Sequence, residues 1–121
     1  MSIDCGSFNS ERTFSLWSYC VSHGLLLLRS GKTNVYSTRV DVLFQDVRAM
    51  EIRAWFDGVQ IEEVGVDYLQ GFRSNPAEMI EIGNRIYSVR GTGWDGFVVG
   101  GILSFLEDNG NINDPSGLLS K

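Results

Sequence analysis

Leu25-Leu26-Leu27-Leu28-Arg29-Ser30-Gly31-Lys32-Thr33-Asn34-Val35-Tyr36-Ser37-Thr38-Arg39-Val40-Asp41-Val42-Leu43-Phe44 is the stretch on which the fold turns. Leu25 to Arg29 is a short run bounded by turn residues, and it reads as a strand with both faces covered. Ser30 to Asn34 is made of turn-formers and ends that strand, and Tyr36 to Phe44 returns as another. Upstream, Phe14-Ser15-Leu16-Trp17-Ser18-Tyr19-Cys20-Val21 is rich in aromatic and β-preferring residues with regularly spaced serines, which suits a strand. Ser22-His23-Gly24 supplies the turn between them, so residues 14–44 predict a three-stranded meander.

Arg48 to Phe56 alternates, with Met50, Ile52, Ala54 and Phe56 on one side and Glu51, Arg53 and Trp55 on the other, as in a half-exposed strand. Asp57-Gly58 then precedes the alternating Val59 to Val64, and an Asp-Gly pair between two such runs predicts a tight hairpin. Gly65 to Gly83 reads as a loop with short helical pieces at Asp67–Phe72 and Ala77–Ile80. Strands resume at Arg85 to Arg90, break at Gly91-Thr92-Gly93, and finish with Gly96 to Leu106, where Gly100-Gly101 predicts a bulge or sharp bend. The expected fold class is therefore mainly β: an antiparallel sandwich, curved sheet or partly open barrel of about seven strands, with helical turns only around 66–82. The 121 residues suit a single domain with one core, and residues 1–12 and 109–121 are expected to be less ordered.

Composition narrows the function classes. Apolar residues make up 43% and charged residues 21%, the profile of an ordered globular chain. No apolar run approaches the roughly 20 residues that cross a bilayer as a helix. Met1 to Ser10 carries Asp4 and polar residues where a signal peptide has basic residues and an apolar segment, which makes the cytoplasm the expected address. The net charge of −5 opposes binding to a phosphate backbone, and the eight arginines are scattered singly, as strand-surface charges and ion-pair partners are. Cys5 and Cys20 have no zinc-site spacing; two reduced thiols are expected, Cys20 the more buried.

Chemistry-bearing constellations are absent from the sequence pattern. His23 is the single histidine, and its turn neighbours suit a solvated side chain; no base and third group accompany a serine or cysteine nucleophile. Gly91-Thr92-Gly93-Trp94-Asp95-Gly96 precedes a strand and Gly31-Lys32-Thr33 lies between strands, so neither hands a phosphate to a helix as a phosphate loop does. Asp108, Asn111 and Asp114 lack the alternation, the closing glutamate and the flanking helices of a calcium loop, and read as a solvated turn. No catalytic, metal or cofactor residue is therefore expected. Trp17 reads as core, Trp94 as a cap beside the glycine turn, and Trp55 as a tryptophan exposed among charges, of the kind that anchors protein recognition.

The stretch from Phe14 to Val64, especially Ser22 to Ser30 and Arg39 to Met50, resembles small uncharacterised bacterial proteins, some of which are similar to immunity proteins of polymorphic-toxin and contact-dependent inhibition systems. The likeness covers less than half the chain and lies in the strand pattern, so no binding residue is carried over from it. It implies a cytoplasmic antitoxin that binds a cognate toxin domain and blocks its active site or substrate groove. From the residues themselves, the expected role is protein binding through Glu51, Arg53, Trp55, Asp57, Glu62 and Glu63, with a basic protein as partner. The alternative is a small-molecule or peptide-binding β-domain with a pocket lined by Trp94, Phe97 and Tyr87 at the mouth of a barrel.

Overall fold

A computed structural model describes residues 6–119, together with the backbone of residues 2–4. The chain is mainly β. Its strands are β1 (Ser2–Asp4), β2 (Ser7–Cys20), β3 (Leu25–Ser30), β4 (Arg39–Phe44), β5 (Ala49–Glu51), β6 (Trp55–Val64), β7 (Arg85–Gly91), β8 (Trp94–Gly100) and β9 (Leu103–Asp108). They form one antiparallel sheet in the order β1-β9-β4-β3-β2-β6-β7-β8-β5. Helical structure is confined to 3-10 turns at Ser22–Gly24, Val66–Gly71 and Ala77–Met79.

The sheet curls back on itself because β8 and β9 are halves of one strand bent at Gly100-Gly101, as the glycine pair predicts. β4 and β5 are likewise two halves of one path. β4 pairs with β9 (Val42 opposite Phe105) and β5 with β8 (Met50 opposite Val98). Between the halves the ladder continues: the Gln45 N–H donates to Ile102 O at 2.9 Å, the Gly101 N–H to Gln45 O at 2.8 Å, and the Arg48 N–H to Val99 O at 2.8 Å. The curved-sheet form of the expected fold is the one observed.

The concave side holds one core of alternating residues: Phe14, Leu26, Leu28, Val42, Phe44, Phe56, Ile61, Tyr87, Val89, Val98 and Leu103 are all nearly inaccessible. Each fully buried side chain of this kind contributes roughly 1.5–3 kcal/mol. Leu25 to Ser30 is covered on both faces, as its unbroken apolar run predicts. A smaller outer cluster forms where the Val66–Gly71 turn lays Leu69 on Ile86, Phe97 and Val99.

Four local expectations are corrected. Residues 48–56 do not form one strand, and Asp57-Gly58 is not a hairpin turn; β6 runs straight through both residues. The long β2 supplies partners on either side of the pair, Thr13 opposite Asp57 and Ser10 opposite Val59, with one extra residue on β2 between them. Gly58, at φ +70°, therefore serves a β-bulge instead of a turn. The two-residue turn lies at Thr92-Gly93, between Gly91 and Trp94. Trp17 is not core: the register of β2 against β3 slips between Leu16 and Ser18, and Trp17 is 39% exposed with its ring against the Arg29 guanidinium. Cys20 is exposed at the last register position of β2 before the turn, while Cys5 lies outside the described residues.

Candidate functional site

The convex side of the sheet presents two contrasting faces. On β3, β4 and β9 the outward residues include Leu27, Arg29, Arg39, Asp41, Leu43 and Ser104, all buried. Arg29 and Asp41, opposite each other in register, form a two-pronged ion pair at 2.7 and 3.0 Å with both side chains 1% exposed. Arg39 makes a second such pair with Asp108, at 3.0 and 2.9 Å.

The segment after β9 covers this face. Arg29 donates to the carbonyls of Ile112 (2.7 Å) and Asp114 (2.9 Å), and Arg39 to those of Asn111 (2.9 Å), Asp114 (2.8 Å) and Pro115 (3.2 Å). The hydrogen bonds from Arg39, helped by the Gly110 N–H, hold the Asp108 carboxyl below its ordinary range against the opposing effect of burial. Asp108 in turn raises the Arg39 guanidinium. These arginines are thus ion-pair partners, as expected, but buried and not on the surface, while residues 111–115 keep the exposed turn expected and turn their carbonyls to the sheet. Among the described residues no group of His, Cys, Asp and Glu has a metal-holding arrangement.

The outward face of β2 and β6 is open, and of β7 only the Arg90 end joins it, Ile86 and Ser88 being buried. Register sets Ser15 beside Trp55, Thr13 beside Asp57, Asn9 beside Gln60, and Ser7 beside Glu62, with Arg90 and Ser88 opposite Gln60 and Glu62 on β7. Trp55 is 61% exposed. Asp57 accepts a hydrogen bond from the Thr13 hydroxyl at 2.7 Å, and the Thr92 hydroxyl donates to the Asp57 carbonyl at 3.0 Å.

Where the Gly58 bulge removes a side chain, a recess of about 580 Å³ opens between Asn9, Glu11, Gln60, Arg90 and Thr92. Across Asp57 and Thr92 lies a second depression of about 150 Å³, lined by Arg53, Trp55, Phe56 and Trp94. Trp94 closes its back: the ring packs at 5.1 Å on Phe56 and folds over Gly91 and Gly96, where a Cβ would collide with it. Its Nε1–H is buried without a partner among the described residues. Arg53 lies 5.8 Å over the Trp94 ring, and Arg90 is drawn toward Asp95 (3.5 Å) and over Tyr68 (5.2 Å). Trp94 therefore caps the core beside the glycine turn, as expected.

The six nominated residues are not one patch. Trp55, Asp57 and Glu62 share the outward face of β6, and Arg53 adjoins it at the Trp94 ring. Glu63 stands opposite the inward-facing Tyr87 and so points away from Glu62. Glu51 lies on β5 at the far end of the strand order and accepts a hydrogen bond from the Ser74 hydroxyl at 2.6 Å. The reading of 48–56 as a single strand put Glu51 on this face, and the break after β5 removes it. Asn9, Glu11, Gln60 and Arg90 were missed because the face depends on β2 starting at Ser7; the alternation of Phe8 with Asn9 was the available signal. The pocket expected from Trp94, Phe97 and Tyr87 does not form, since Tyr87 belongs to the inner core and Phe97 to the outer cluster. His23 is exposed, in a left-handed turn conformation at φ +68°. No protein-family model matches the chain, and no curated protein or solved structure does so either.

Proposed function

We propose that the protein is a non-catalytic binding module that recognises a basic protein partner through the open outward face of β2 and β6. The observation that supports this reading is Trp55, a large ring left 61% exposed on a regular strand while the opposite outward face is sealed by the chain itself. Covering the exposed part of such a ring stabilises a complex by roughly 3 kcal/mol, enough to act as an anchor. Asp57 beside it and Glu11 and Glu62 further along the face give acidic groups, set among Arg53 and Arg90, in keeping with the overall charge of −5, and these would attract and orient a basic partner. From Trp55 to Glu62 the face runs roughly 23 Å along β6, the reach of a protein surface. The resemblance to immunity proteins gives the specific form of the proposal: a cytoplasmic antitoxin that covers the active site or substrate groove of a toxin domain.

The test is affinity capture against a toxin domain encoded beside this gene, with wild type, Trp55→Ala and Glu62→Lys as baits. Stoichiometric capture of one basic protein, weakened about tenfold or more by either substitution, is the expected result. Equal capture by all three baits would remove this face from the account.

A second reading is favoured by the recess at Gly58, a shallow, widely open concavity of about 580 Å³ lined by polar side chains. On that reading the protein is a small-molecule-binding β-domain, with its site on the convex face and not at Trp94, Phe97 and Tyr87.

A further inference from the structure

The side chains around the Gly58 recess form an unusual set for a protein surface. Asn9, Glu11 and Gln60 make no side-chain hydrogen bond to other described residues, whereas the outward polar groups of β3 and β4 are all engaged. Two amides and a carboxylate with free donor and acceptor capacity thus converge on one concavity, beside the Thr92 hydroxyl, which donates to the Asp57 carbonyl, and the Arg90 guanidinium, which leans toward Asp95. Charge is mixed across the recess and the adjoining depression: Arg53 and Arg90 stand with Glu11, Asp57 and the Arg90 partner Asp95. Across Asp57 and Thr92, in the adjoining depression, stands the open plate of Trp55.

A ligand of one charge meets both signs in this site, and an apolar one would strand these polar groups without water. A ligand that suits both parts is neutral, carries many hydroxyls, and has an apolar C–H face to lie on an indole ring. Amide side chains, which both donate and accept, match hydroxyls, which do the same. We infer that the recess and the adjoining Trp55 depression together form a saccharide-binding site, with one sugar ring stacked on Trp55 and the hydroxyls of a neighbouring ring bonded by Asn9, Gln60, Glu11 and Thr92. This inference rests on the small-ligand reading and gives it a ligand class.

The experiment is a titration of the full, isotope-labelled chain, followed by two-dimensional amide NMR, with maltose, cellobiose and lactose as probes and sorbitol as a polyol without an apolar ring face. At least one disaccharide is expected to shift the Gly58, Gly91 and Trp55 indole N–H signals saturably. Trp55→Ala and Gln60→Ala should each weaken that binding by about tenfold, the scale of one lost hydrogen bond or stacked ring. Trp17→Ala, which removes an exposed indole remote from the recess, should leave it unchanged. Failure of all three sugars to saturate, equal shifts with sorbitol, or equal loss in Trp17→Ala would overturn the saccharide assignment. A library of non-sugar polar small molecules, screened on the same signals, separates the two levels: a saturable hit there with no sugar binding overturns the saccharide and keeps the small-ligand reading.

Discussion

The outward face of β3, β4 and β9 and the outward face of β2 and β6 belong to one sheet but treat polar side chains in opposite ways. On the first, Arg29, Arg39 and Asp41 are buried and each guanidinium is engaged by a carboxylate and by carbonyls of the segment after β9. On the second, Asn9, Glu11 and Gln60 face an open recess and Trp55 stands largely exposed. The contrast teaches that charge and aromatic content do not identify a recognition surface; what separates the faces is whether the chain satisfies its own polar groups there. Trp17 and Trp55 show the same thing with one residue type, since the first lies on Arg29 and the second has no such cover.

Breaking the sealed face should have the largest effect. Asp41→Ala leaves the Arg29 charge buried without its partner, and urea denaturation should show a loss of about 3–5 kcal/mol. A loss below 1 kcal/mol, on the order of an exposed pair, would erase the distinction between the faces. Ending the chain after Asp108 removes the carbonyls that receive Arg29 and Arg39, and should cost about 2 kcal/mol in the same assay.

Acid titration sharpens the comparison further. Asp108 has its folded-state pKa lowered from 3.8 by Arg39, so its contribution is complete above the unfolded value and fades as pH falls through the folded one. Asp108→Asn should therefore flatten the stability profile below about pH 4 and leave its slope near neutrality unchanged, as followed by thermal melts across pH. The smallest effect belongs to the open face: Trp55→Ala and Gln60→Ala should alter unfolding free energy by no more than about 0.5 kcal/mol.

The strands themselves were readable wherever burial imposes a pattern. Leu25 to Ser30, the Gly100-Gly101 bend and the turns near Val66 and Ala77 follow from local apolar runs and breakers. Asp57-Gly58 misled because a glycine that suits a hairpin turn also suits a bulge, and only the partner strand decides between them. Arg29, Asp41 and Arg39 sit in positions that alternation marks as outward, and nothing local signals that residues 111–115 return to cover them. The site was readable at Trp55, Asp57 and Glu62, which share one strand, and hidden at Asn9, Glu11 and Arg90, which long-range pairing of β2 and β7 with β6 brings to them.

The central claim, that recognition belongs to the open face and cohesion to the sealed one, is tested most directly by capture of the partner on wild type, Trp55→Ala and Arg39→Lys baits matched for folded fraction. The account predicts that Trp55→Ala loses the partner while Arg39→Lys, destabilised but folded, retains it at wild-type affinity. Retention by Trp55→Ala together with loss by Arg39→Lys would contradict it.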